Sequence, residues 1–168
     1  MNQNKSRRLQ TASLTQAAII VALYIVLTFL ANAFGLANYA VQVRFSESLT
    51  ILPYFTKTAI PGLFIGCLLS NILTGCAIPD IIFGSLATLI GAIVTYALRR
   101  YKWTASIGPI LSNALIVPFV LLYAYGIQPL WFSFITVIIG EIISCGVLGM
   151  LLLFTLEKHR NTLFSIGK

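Results

Sequence analysis

Residues 130–156 read LWFSFITVIIGEIISCGVLGMLLLFTL, a run in which Glu141 is the one charged side chain. A helix of about 20 apolar residues crosses the hydrocarbon core of a bilayer, so this run is long enough to span with tilt to spare. Five more apolar segments lie upstream, at about residues 14–34, 42–56, 59–76, 80–98 and 105–124. The chain is 58% hydrophobic and 9% charged, with mean hydropathy +0.94. A soluble domain carries about a quarter charged residues. Within lipid each backbone donor and acceptor must be satisfied inside the structure, which favours helices. The expected fold is therefore all-α: a single transmembrane domain over residues 1–168 with six transmembrane helices. Segment 42–56 is the weakest of the six, because it is short, starts beside Arg44 and carries Pro53 near its end. It spans only by tilting or by leaning on its neighbours.

The eleven Lys and Arg residues orient the bundle. Lys5, Arg7 and Arg8 precede the first segment, Lys57 follows the second, Arg99, Arg100 and Lys102 follow the fourth, and Lys158, Arg160 and Lys168 follow the sixth. With six crossings these positions share one side, which the positive-inside rule makes cytoplasmic, together with both termini. The outer connections near 35–41, 77–79 and 125–129 hold no Lys or Arg, and Arg44 alone breaks the pattern. The net charge of +7 is thus an anchor against anionic membrane lipid and requires no nucleic-acid partner. The basic start, apolar run and Ala31-Asn32-Ala33 have the outline of a cleaved signal peptide, but the run is long and further spans follow, so it is read as the first helix. Cys67, Cys76 and Cys145 are odd in number and widely spaced, and are read as small apolar residues.

Small residues four apart mark faces where helices approach closely. Gly62, Gly66 and Ser70 form such a face in the third segment, read as internal packing. Ala18 and Ala22 form one in the first, a face for internal packing or for a partner subunit.

Charged groups at membrane depth are costly and mark functional sites by default. Arg44 and Glu47 stand three residues apart, so they either pair across one helical turn or serve a ligand. Asp80 follows Pro79 and opens the fourth segment, where capping and ligand binding are both open. Asn71 and Asn113 are interhelical glue or ligand donors. Glu141 lies about 18 Å along its helix at 1.5 Å per residue, with Val137, Ile138, Ser144 and Cys145 three and four residues away. That face should point into the bundle, where its nearest candidate counter-ion is Arg44.

Catalysis finds little support. The single histidine, His159, sits in a basic tail, no His/Cys/carboxylate cluster has metal-ligand spacing, and there is no G-x-x-x-x-G-K-[ST] to hold ATP. An intramembrane enzyme using Glu47 and Glu141 as an acid and base pair is the alternative from another class.

Val43-Arg44-Phe45-Ser46-Glu47 with Leu52-Pro53, Ile60 to Cys67, and Asp80-Ile81-Ile82-Phe83-Gly84-Ser85-Leu86-Ala87-Thr88 resemble the queuosine-precursor transporter family, the QueT-type S components of energy-coupling factor (ECF) transporters. The resemblance covers nearly the whole chain. It implies a six-helix subunit that captures a 7-deazaguanine, such as queuine, preQ1 or preQ0, at the outer face of the cell membrane. A transmembrane coupling subunit and two ATPase subunits would complete the transporter, with ATP consumed by those partners and no cofactor or metal in this chain. Ala18 and Ala22 match the alanine motif by which S components dock the coupling subunit. Substrate contacts are expected from Arg44, Glu47, Asn71, Asp80, Asn113 and Glu141, with Phe45, Trp131, Tyr39 and Tyr125 available to stack on the rings or to form the interfacial belt. One carboxylate can accept the paired N–H and amino donors of a deazaguanine, and a cationic aminomethyl substituent would favour a second. An S component for another vitamin or a pterin-like ligand is the runner-up within the class.

Overall fold

The computed structural model describes residues 3–36 and 43–160. The described chain is helical: α1 (Gln3–Ala33), a 3-10 helix (Phe45–Tyr54), α2 (Ala59–Leu73), α3 (Ile78–Ala97), a short 3-10 turn (Lys102–Thr104), α4 (Ile107–Tyr125), α5 (Leu130–Glu141), a π-helical segment (Ile142–Gly149) and α6 (Met150–Lys158). The last three form one continuous helix. Stretches Leu9–Ala33, Ile78–Ala97, Lys102–Tyr125 and Leu130–Lys158 are each long and apolar enough to cross a membrane. Their outward side chains are apolar, as at Leu14, Ile78, Leu115 and Leu151.

The two remaining segments are shorter than the sequence pattern implies. Segment 42–56 is not an α-helix but the ten-residue 3-10 helix, which at about 2 Å per residue covers roughly 20 Å. Its tight winding has local causes. Ser48 Oγ donates to the carbonyl of Phe45 and Thr50 Oγ1 to that of Glu47, each at 2.6 Å and three residues back, and Pro53 withholds a backbone donor. The fifteen residues of α2 reach about 22 Å. Neither matches a hydrocarbon core of about 30 Å; α2 still presents an apolar outer face, at Ile65, Leu69, Ile72 and Leu73, whereas the 3-10 helix is enclosed by its neighbours. The 3-10 helix is buried from Ser46 to Tyr54 apart from half-buried Ser48. It runs through the middle of the bundle, against α1, α3, the π segment and α6.

Each long element runs from one end of the bundle to the other. One end is basic: Arg99, Arg100 and Arg160 line a cavity with Tyr54 and Tyr96, Lys102 Nζ pairs with Glu157 at 2.8 Å, and Thr58 Oγ1 donates to Gln16 of α1 at 2.6 Å. The opposite end gathers Thr28, Asn32, Arg44, Asn71, Thr74, Asp80 and Tyr125 around a second cavity.

The small face of α2 packs internally, as its spacing implied. A Cβ on Gly62 would stand 3.1 Å from the carbonyl oxygen of Ala17, and one on Gly66 only 2.8 Å from Cβ of Tyr24. Tyr24 is 1% exposed and cannot retreat outward. Gly66→Ala should therefore lower stability by about 1–3 kcal/mol, the usual penalty for forcing a methyl into a packed interface. Thermal unfolding of the purified variant checks this, and an unchanged melting temperature would mean that α1 slides away at no cost. Ala18 and Ala22 point the other way. They lie exposed on the outer side of α1, in a stripe with Leu14 and Val26.

Candidate functional site

Three of the chain's four carboxylates are interior: Glu47 is 1% exposed, Asp80 4% and Glu141 8%. Each reaches the centre by a different route. The 3-10 helix carries Glu47 on its first turn. Asp80 occupies the first turn of α3, where the amide dipoles favour an anion. Glu141 ends α5, where the helix widens into its π segment, a distortion that concentrates at functional sites.

Two chambers divide these groups. The inner one is lined by Arg44, Glu47, Gly84, Thr88, Asn113, Val117, Val137 and Glu141 and has about 20 Å³ of room for a water centre. By the same measure the outer one has about 490 Å³, lined by Thr28, Ala31, Asn32, Arg44, Asn71, Thr74, Cys76, Asp80, Leu121, Tyr125 and Ile127. Arg44 borders both.

Around the inner chamber, Asn113 Nδ2 donates to Glu141 Oε1 at 2.9 Å, and Cys145 Sγ approaches Glu141 Oε2 at 3.1 Å. The hydroxyl of Tyr24 donates to Glu47 Oε1, with Thr88 Oγ1 at 3.5 Å from the same oxygen. Glu47 Oε2 is buried and makes no hydrogen bond. One ligand atom from each of Glu47, Glu141 and Cys145 lies within 4.8 Å of the others. The Cys145 thiol, a single donor, lies within reach of two acceptors, Glu141 Oε2 and, at 3.3 Å, the backbone carbonyl of Glu47.

The outer chamber holds the ion pair, which excludes the first of the two alternatives that the spacing of Arg44 and Glu47 leaves open. Arg44 does not pair with Glu47 one turn on; its Nη2 lies 3.8 Å from Oδ2 of Asp80 on α3. A cause is visible in the backbone. Arg44 precedes the 3-10 helix in extended conformation, with its amide donating to Ser144 Oγ at 3.2 Å, so the two side chains do not share a helical face. Asp80 does not cap α3 either: the N-cap is Ala77, with no side-chain cap bond. Its Oδ2 accepts instead from the Tyr125 hydroxyl at 3.0 Å. Arg44→Gln and Asp80→Asn should be non-additive, with a coupling of about 0.5–3 kcal/mol in a double-mutant cycle on stability. Strict additivity would show that the 3.8 Å approach carries no energy.

The residues anticipated at one ligand are thus shared out. Glu47, Asn113 and Glu141 meet in the inner chamber, Asn71 and Asp80 in the outer, and Arg44 joins them. Asn71 Nδ2 lies 3.5 Å from the carbonyl of Asp80. Phe45 packs edge-on against Phe34, and Trp131 is 63% exposed beside Phe132; neither lines a chamber. Tyr39 lies outside the described residues. Tyr24 and Thr88 were not anticipated. The signal for Tyr24 was available, since Tyr24 and Thr28 put two polar tips one turn apart within residues 17–31, which are otherwise apolar, and a buried tyrosine hydroxyl needs a partner.

The QueT transporter family model matches residues 14–158, which include every group in both chambers. The chain belongs to the QueT transporter family. It is similar to the queuosine precursor transporter QueT of Lactococcus lactis subsp. cremoris (strain MG1363), with 33% identity over 84 residues. That alignment spans 50% of this chain and 49% of the length of that relative. No solved structure matches. The resemblance seen in the sequence motifs is thereby confirmed, and the chain is a multi-pass membrane protein of a transporter family.

Proposed function

We propose that this protein is the substrate-binding S component of an ECF-type, ATP-driven importer of queuosine precursors, and that it captures a 7-deazaguanine in the two chambers joined at Arg44. The observation that carries the reading is the gathering of three buried carboxylates and one arginine around adjoining cavities in a QueT-family chain. A larger chamber suits a flat bicyclic base. Asp80 offers a carboxylate to the paired N–H donors of a guanine edge, Asn71 adds an amide, and Arg44 can donate to the ring carbonyl.

The basic end of the bundle is the cytoplasmic end in this proposal, by the positive-inside rule, and the chambers open outward. The buried 3-10 helix and α2 count as the second and third of six crossings. Both termini are then cytoplasmic. Energy comes from outside the chain: the sequence has no phosphate-binding loop of the Walker type, so two ATPase subunits and a coupling subunit are proposed as partners, with Ala18 and Ala22 at the contact.

Uptake of a radiolabelled 7-deazaguanine tests the proposal in cells that lack their own carrier for it. Accumulation should require this chain together with a coupling module and should stop when the ATPase subunits are inactivated. Accumulation by this chain alone would remove the ECF assignment, and no accumulation in any combination would remove the substrate class.

A further inference from the structure

Resting on that reading, we infer that the inner chamber is a seat for a protonated amine, so that the protein selects 7-deazaguanines bearing a cationic aminomethyl-type substituent over neutral ones such as the 7-cyano compound. Size, hydrogen bonding and charge converge on it. The chamber has about 20 Å³ of room for a water centre, enough for one water-sized group, and an ammonium head is of that size. Glu47 Oε2 is shielded from solvent and has no hydrogen-bond partner, although a buried carboxylate oxygen without one is costly.

The charge balance points the same way. Among the described residues, buried Glu47, Asp80 and Glu141 share their two chambers with one cation, half-buried Arg44, whose ion pair is with Asp80. Glu47 and Glu141 are left without a basic side chain of their own among the described residues. An ammonium brings one positive charge and three donors. It can serve Glu47 Oε2 and a free lone pair on Glu141, whose oxygens already accept from Asn113 and Cys145. A nitrile brings no charge and only an acceptor, so in the same place it would face two carboxylates with nothing to donate. Because Arg44 lines both chambers, a base held in the outer one would send its substituent past the guanidinium into the inner one.

Affinities of the purified full chain for 7-aminomethyl-7-deazaguanine, 7-cyano-7-deazaguanine and unsubstituted 7-deazaguanine test the inference. The amine should bind at least tenfold tighter than the nitrile, and in Glu141→Gln and Glu47→Gln the amine-to-nitrile ratio should fall towards one. The wild-type ratio needs no variant to fold. Equal or tighter binding of the nitrile by the wild type would overturn the amine seat while leaving substrate capture standing. A ratio that persists in both variants would overturn it as well. Displacement of the amine by zinc would assign the chamber to a metal held by Glu47, Glu141 and Cys145. Binding of none of the three compounds would bring down the capture reading and this inference with it.

Discussion

Glu47→Gln is expected to weaken binding of an amine-bearing 7-deazaguanine by about 10- to 100-fold, because a hydrogen bond to a charged group in a dry site is worth about 1.5–3 kcal/mol and each 1.4 kcal/mol is tenfold in affinity. The substitution keeps the shape of the side chain and an oxygen for the Tyr24 hydroxyl. What it removes is the charge and the free acceptor at Oε2. Isothermal titration of wild type and variant measures the loss, and a melting curve shows that the bundle has survived. Unchanged affinity in a folded variant would reduce Glu47 to a partner that holds Tyr24 in place.

Ala18→Trp or Ala22→Trp is expected to abolish ATP-dependent uptake and to leave ligand binding by the isolated subunit nearly intact. Both alanines lie on the exposed side of α1, between Leu14 and Val26. Small side chains allow a second helix to come close, and in lipid no hydrophobic force replaces the contacts that a large ring would prevent. The separation of the two activities follows from position. The chambers meet α1 at Thr28, Ala31 and Asn32; at 1.5 Å per residue Thr28 lies about 15 Å along the helix from Ala18 and about 9 Å from Ala22, and both alanines face away from the chambers, on the exposed side. Pull-down of the coupling subunit beside a ligand titration reads both. Normal uptake by the variants would place this stripe against lipid.

How far the sequence alone carries can be judged element by element. The long helices follow from uninterrupted apolar length, and α1, α3, α4 and the α5–α6 helix all lie where the hydropathy puts them. Hydropathy reports length and polarity, not winding. It could not distinguish a spanning α-helix from the buried 3-10 helix at Phe45–Tyr54, whose form depends on Ser48 and Thr50 bonding their own backbone and on a niche made by other helices. The inward aim of Glu141 was legible from its neighbours, since Val137, Ser144 and Cys145 are buried with it. Its bond to Asn113 was not, because nothing in one sequence fixes which turn of α4 faces which turn of α5. The same limit left Arg44 open. Spacing of three residues allowed an intrahelical pair with Glu47 or service to a ligand, and the extended backbone at Arg44 excludes the first by leading its side chain to Asp80, on another helix. Tyr24 was legible as a buried hydroxyl in need of a partner, but that the partner is Glu47 emerges only once α1 and the 3-10 helix lie side by side.

Native mass spectrometry of the purified chain, offered an equimolar mixture of 7-aminomethyl-7-deazaguanine, 7-cyano-7-deazaguanine and guanine, tests most directly whether these chambers capture a queuosine precursor. The expected spectrum shows one molecule of the aminomethyl compound retained per chain, with retention lost in Glu47→Gln. A spectrum with no retained ligand, or with the same retention in wild type and variant, would contradict it.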